Sequence, residues 1–248
     1  MSILLEGKNI NKVFRSGDKE TIALSDVSFC LNDGEVLGIV GESGSGKSTL
    51  LRVISGLEKP DSGDIIHEGN SYKGMGPRQT GKFLQVIFQD GKSSFDPRFT
   101  MEKSISESSR GIKDKNKLSQ LIKMVGLDEE LLSRKPARLS GGQCQRMSIA
   151  RAFYSGAEIL LCDEMTSALD VTSQAQVMEI MEDLKKQGKL SAIFVSHDIA
   201  LISTICDRVM VMKDGRCVEQ GETLSVINSP ADDYTKELIE SARKQSIE

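Results

Sequence analysis

Eight consecutive residues, Gly41-Glu42-Ser43-Gly44-Ser45-Gly46-Lys47-Ser48, fit the pattern G-x-x-x-x-G-K-[ST] without a mismatch. These residue types suit the holding of phosphate. Glycines let a backbone turn tightly and approach a ligand closely. The N–H groups of such a loop, and of the helix that follows it from Thr49, converge on one anion. Lys47 adds a cation able to reach the β- and γ-phosphates, and Ser48 a hydroxyl for Mg²⁺. The motif therefore points to a nucleotide. Further along, Asp163-Glu164 closes an apolar run. Phosphoryl chemistry needs a carboxylate beside the metal, which suits Asp163. It also needs a group that orients the attacking water or accepts its proton, which suits Glu164. Leu139-Ser140-Gly141-Gly142-Gln143 opens a predicted helix and forms a second phosphate cradle of N–H groups, a hydroxyl and a positive helix end. One chain with one phosphate loop does not need two cradles for one ATP. The economical reading gives the second cradle a nucleotide held by another copy or a partner, in a head-to-tail pair with ATP sandwiched between.

Such a loop needs a strand before it and a helix after it. Residues 36–40 read as a buried strand and residues 49–54 as the start of a helix. Residues 84–88, 158–163, 192–196 and 208–212 read as further strands, with 213–216 as a hairpin turn. Val177, Ile180, Met181 and Leu184 form one face of a helix between two of them. Short strands alternating with helices predict a largely parallel sheet covered on both faces. The first thirty-odd residues differ. Segments 4–10 and 22–29 carry partly alternating apolar residues around a polar turn at 15–19, and 64–69 reads as a short hairpin strand. Residues 90–138 are polar and mostly helical or loop-like. There Leu118, Leu121, Ile122 and Val125 fall at helical spacing, and Gly126 ends the helix. This stretch predicts a helical subdomain inserted between strands. A weaker helix runs from Tyr234 to about Arg243.

Composition narrows the function classes. The chain has 248 residues and a net charge of −4, which argues against a nucleic-acid binder. No apolar run approaches the roughly 18 residues needed to cross a bilayer, and the N-terminus lacks a signal-peptide pattern. The expectation is a cytoplasmic chain whose membrane connection comes through a partner. The five cysteines, at positions 30, 144, 162, 206 and 217, show no C-x-x-C spacing and read as structural thiols.

In this order, the motifs resemble those of ATP-binding-cassette (ABC) ATPases. Residues 139–143 look like the family signature. Gln89 resembles the Q-loop glutamine, which contacts Mg²⁺ and faces the transmembrane subunit. Ser167-Ala168-Leu169-Asp170 resembles the D-loop, and His197 the switch histidine that contacts the γ-phosphate. Phe14 matches, by position, the aromatic that stacks on adenine. The resemblance covers about residues 4–238. It implies an α/β fold: a P-loop NTPase core of mostly parallel sheet flanked by helices, an N-terminal antiparallel β-subdomain and an inserted helical subdomain. The whole chain, 1–248, would be one ATPase domain, with the insertion at about 90–155. It further implies binding of ATP and Mg²⁺, with Ser48, Gln89 and Asp163 toward the metal. A second ATPase subunit, identical or paralogous, and two transmembrane permease subunits would be partners, with an extracytoplasmic substrate-binding protein indirectly. The location would be the cytoplasmic face of the membrane.

Residues 88–98, 218–221 and 234–238 are similar to importers of the oligopeptide/dipeptide/nickel group. Gly91, Phe95, Met165 and Asp232-Asp233 depart from the usual pattern. Ending at Glu248 is expected of a shorter, nickel- or metallophore-type member. A soluble ABC ATPase without a transport role, such as one in iron–sulfur cluster assembly, shares the core motifs. Residues 93–98 and the Tyr234 tail argue against it. A kinase or GTPase has no use for residues 139–143, and no Asn-Lys-x-Asp motif is present.

Overall fold

The first eighty residues form β1 (Ile3–Ser16), β2 (Lys19–Asn32), β3 (Val36–Val40), α1 (Lys47–Ile54), β4 (Ser62–His67), β5 (Asn70–Ser71) and α2 (Pro77–Thr80). Then come β6 (Leu84–Ile87), α3 (Met101–Glu107), α4 (Lys115–Met124), two short 3₁₀ turns, α5 (Gly141–Ser155), β7 (Ile159–Asp163) and α6 (Val171–Lys186). β8 (Ser191–Ser196), α7 (Ile199–Ile205), β9 (Arg208–Lys213), β10 (Arg216–Glu222), α8 (Thr223–Asn228) and α9 (Asp233–Gln245) complete the order. This computed structural model describes residues 2–17, 19–73, 75–109 and 114–245. Asp18 of the predicted turn and residues 110–113 of the predicted helical stretch lie outside the described residues. The chain divides into two units, one of Met1–Thr80 with Ser191–Glu248, the other of Gly81–Leu190.

In the first unit, β1, β2, β4 and β5 form an antiparallel sheet in the order β2-β1-β4-β5. The two long strands extend well past the predicted apolar segments, so the turn is tighter than the five residues expected. Arg15 pairs with Glu20 and Ser16 with Lys19 across the ladder. The polar ends stay in the sheet because cross-strand contacts replace apolar burial; Arg15 Nε lies 2.8 Å from Glu20 Oε1. The unit also holds strands in the order β10-β9-β3-β8. β8, β3 and β9 are parallel, and β10 returns antiparallel to β9. Every residue of β3 is buried, as a strand covered on both faces requires.

In the second unit, β6 and β7 pair in parallel. α5 is its central helix, with Cys144, Met147, Ile149 and Ala150 fully buried. Leu118, Ile122 and Val125 are buried as the helical spacing predicts, with Leu121 half-buried. On α6, Val177, Met181 and Leu184 face inward, but Met178 is buried where Ile180 is only half-buried.

Candidate functional site

The phosphate loop hangs from β3. Val40 ends that strand and pairs with Ser196 of β8, so Gly41 and His197 leave adjacent strands at one level. Gly41, Gly44 and Gly46 have φ of 151°, 85° and 102°, values that L side chains rarely adopt. A Cβ on Gly46 would also lie 2.6 Å from the Ala23 carbonyl oxygen. Glycine at 46 is thus required by conformation and by close packing on β2.

α1 starts at Gly46 with no side-chain cap and no acidic residue in its first turn. By contrast α3, α4, α5, α6 and α7 are each capped by a side chain, from Thr100, Asp114, Ser140, Asp170 and Asp198. Uncapped N-terminal N–H groups beside a glycine loop are an anion site. Lys47 is 5% exposed. Its Nζ donates to the carbonyls of Gly41 and Glu42 at 2.7 and 2.8 Å, which draws the ammonium back over its own loop. Glu42, Ser43, Gly44 and Ser48 are exposed, Thr49 is half-buried and Ser45 is buried. The Phe14 ring on β1 remains 38% exposed. His197 is exposed on a fixed turn, where Asp198 N–H donates to Ser196 Oγ at 2.9 Å and Asp198 caps α7.

The second unit repeats the arrangement with different chemistry. Ile87 pairs with Cys162, so the segments carrying Gln89 and Asp163-Glu164 also leave adjacent strands at one level. Asp163 and Glu164 are half-buried and Gln89 is exposed. Glu164 has φ 45°, left-handed for a non-glycine residue, a conformation that persists only where its surroundings enforce it. The Ser167 N–H and hydroxyl both donate to the Glu164 carbonyl, at 3.1 and 2.9 Å, and close that turn.

Ser140 caps α5 through a reciprocal box. Its Oγ accepts from Gln143 N–H at 3.2 Å, and Gln143 Oε1 accepts from Ser140 N–H at 3.0 Å. The signature turn therefore closes partly on itself. Its two glycines differ. A Cβ on Gly142 would sit 2.6 Å from Ser173 Oγ, whereas one on Gly141 meets only Leu169 Cδ2 at 3.7 Å. Ser173 in turn donates its N–H and hydroxyl to Asp170, at 2.9 and 2.8 Å. Those bonds, the backbone one first, hold the Asp170 carboxyl below the usual range. Asp170 thus caps α6 and, through Ser173, supports Gly142.

The structure places Phe14, residues 41–49 and His197 in the first unit, and Gln89, Ser140–Gln143, Asp163, Glu164 and Asp170 in the second. Ser48, Gln89 and Asp163 offer a hydroxyl, an amide oxygen and a carboxylate, the hard oxygen donors that Mg²⁺ takes. Sequence reasoning missed the seat of the phosphate loop. Gly215 N–H donates to the Ser45 carbonyl at 3.0 Å, and its own carbonyl accepts from Ser25 N–H at 2.8 Å. The Tyr234 hydroxyl accepts from Glu42 N–H at 2.9 Å. Gly215 was visible only as a hairpin turn and Tyr234 only as part of a tail.

Comparison with known proteins agrees with this arrangement. The chain matches the family described as "ABC transporter" over residues 24–167. It is 40% identical over 242 residues to the oligopeptide transport ATP-binding protein OppF of Haemophilus influenzae, covering 94% of this chain and 73% of that protein. It is 38% identical to the methionine import ATP-binding protein MetN 2 of Pseudomonas entomophila, over 96% of this chain and 72% of that one. Among solved structures, cbiO1 from Clostridium perfringens, part of the ABC transporter complex cbiONQ, aligns with a TM-score of 0.80 and 27% identity, over 99% and 96% of the two chains. The ATP-binding cassette MJ0796, in a dimeric post-hydrolysis state bound to ADP and Pi, aligns with a TM-score of 0.78 and 29% identity, over 89% and 99%.

Proposed function

The chain belongs to the ABC transporter family and is an ATPase, and from that premise we propose that it is the ATP-hydrolysing subunit of a membrane importer. It works as one of two ATPase subunits, identical or paralogous, at the cytoplasmic face of the membrane. Two permease subunits complete the machine, and an extracytoplasmic binding protein delivers the cargo. The whole chain acts as one ATPase domain with helices inserted at about 90–155.

In this reading residues 41–49 hold the phosphates and Phe14 stacks on adenine. Lys47 offsets charge on the transferring phosphoryl group. Glu164 orients the attacking water and accepts its proton. His197 holds the γ-phosphate. Residues 140–143 and Asp170 complete the site of the other subunit. Ser48, Asp163 and Gln89 would hold Mg²⁺, which supplies charge neutralisation at the phosphates when bound. Peptides are the cargo we favour, because a relative named for oligopeptide transport reaches 40% identity and residues 88–98 and 234–238 resemble that group, although a relative named for methionine import reaches 38%. Nickel or metal–chelator complexes are the other cargoes of the group that residues 88–98 and 234–238 resemble.

One observation carries the ATPase reading: α1 starts from a glycine loop without a side-chain cap, beside a buried Lys47, whereas α4, α5 and α6 are each capped by a side chain. Phosphate release by the purified chain tests the enzyme. Co-purification from membranes with two integral subunits tests the transport role, and a chain that is never retained by membranes or by any integral subunit would sink it.

A further inference from the structure

We infer that Tyr234 is a positioning residue for the phosphate loop, an inference that rests on the ATPase reading above. The argument starts from the peptide that joins Gly41 to Glu42. In a trans peptide the C=O and N–H point in opposite directions, so a partner on each side fixes the plane. Here both partners are present. Lys47 Nζ donates to the Gly41 carbonyl at 2.7 Å, and the Glu42 N–H donates to Tyr234 Oη at 2.9 Å. Rotating that peptide would break both bonds and withdraw the carbonyl that holds the lysine.

Tyr234 is itself well placed to act as a brace. It is 7% exposed, and the Lys213 ammonium lies 4.5 Å from its ring centroid. Its N–H donates to Asp232 Oδ1 at 2.9 Å. The Glu219 carboxylate on β10 accepts from Ala231 and Asp232 N–H at 2.9 and 3.1 Å, which ties the start of α9 to the β9–β10 hairpin. The tip of the same hairpin, at Gly215, donates to the Ser45 carbonyl. One hairpin thus holds the loop at two points, directly at Ser45 and through Tyr234 at Glu42.

A loop held in one geometry before the ligand arrives does not lose that ordering entropy on binding. Once phosphates fill the loop they hold it themselves. The hydroxyl therefore contributes to nucleotide affinity and not to the rate of the bound complex. Tyr234→Phe keeps the ring and removes the acceptor. Its dissociation constants for ATP and ADP should rise about threefold to tenfold, the effect of one net hydrogen bond, and KM should follow. Turnover at saturating ATP should stay within about twofold, and Tm should fall by about 1–6 °C, as the loss of one hydrogen bond from the folded chain implies. Glu219→Gln, which loosens α9 without touching the ring, should shift affinity the same way by a smaller factor. Unchanged affinity in Tyr234→Phe, with the wild type binding normally, overturns this inference and leaves the ATPase reading standing. A fall in turnover with unchanged KM, or in Tm with unchanged affinity, also overturns it. A wild-type chain that binds no nucleotide overturns both.

Discussion

Two helices of this chain begin in glycine-bearing turns that face opposite tasks. α1 begins at Gly46, which supplies no side-chain cap, and everything around the turn reinforces its shape. Gly46 is pressed on Ala23, Ser45 is held by Gly215, and Lys47 is folded over the loop. α5 begins at Ser140 with its capping box closed, and a Cβ on Gly141 would meet no more than Leu169 Cδ2 at ordinary contact distance. The first turn is incomplete without an anion and rigid enough to wait for one. The second is complete in itself and exposed, as a surface for another molecule's ligand should be. The difference teaches that a glycine motif has to be read with its cap. In the function proposed above, the open end of α1 takes the chain's own ligand and the closed end of α5 makes its contact in trans.

The largest effects should come from separating binding from reaction. Glu164→Gln keeps the size of the side chain and removes a proton acceptor. Its turnover should fall on the order of a thousandfold, within the range for a lost general base, while ATP binding persists and a closed pair of chains accumulates. Near-normal phosphate release by that variant would remove Glu164 from its role. Ser140→Arg places a long cation on the exposed turn of α5. Hydrolysis should collapse while a single chain's own ATP affinity changes by less than about threefold. Loss of ATP binding by the monomer would break the contrast between the two turns, because it would put the α5 turn in its own chain's site.

The glycines test the same contrast through stability. Gly46→Ala must hold φ near 102° and bring its Cβ against the Ala23 carbonyl. It should cost about 2–3 kcal/mol, roughly 4–12 °C in Tm. Gly141→Ala would bring its Cβ only to ordinary contact with Leu169 Cδ2, at 3.7 Å, and should leave the Tm within about 2 °C, yet slow the ATPase of the assembled pair. Equal destabilisation by the two substitutions would show that Gly141 serves its own fold after all.

How far the sequence was legible follows from how local each feature is. Residues 41–48 are one contiguous motif whose flanking strand and helix were readable from apolar pattern, and both lie where expected. Glu164 was assigned from its place at the end of an apolar strand, where open parallel sheets present side chains, whereas Gln89 and His197 were marked only by their resemblance to the family's Q-loop and switch motifs. What stayed hidden was contact over long separation. Tyr234 lies 192 residues from Glu42, and no periodicity connects a tail helix to a loop that far back. The full length of β1 and β2 was hidden for a related reason, since their polar ends are held by each other. Met178 entered the core of α6 in place of Ile180 because the neighbours that choose between them are not in the local pattern. Ser140 followed three residues later by Gln143 fits a capping box, but from sequence the turn read only as a phosphate cradle, and the box was found in the structure.

The smallest of these effects is the most direct test of how α5 begins. If its N-terminus is closed on itself, Ser140 contributes stability to a lone chain with no nucleotide present. Ser140→Ala should then cost about 1 kcal/mol through loss of the bond to Gln143 N–H, a fall in Tm of roughly 2–4 °C. Ser140→Asp retains an acceptor at the same position and suits the positive helix end, so it should recover most of that loss. Its added negative charge would still oppose a triphosphate brought by a partner, and ATPase should stay low. Stability restored without activity is the pattern that a self-capped, outward-serving turn requires. If Ser140→Ala leaves the lone chain as stable as before, the hydroxyl is not held by its own helix, and the distinction between the two helix ends reduces to the glycines alone.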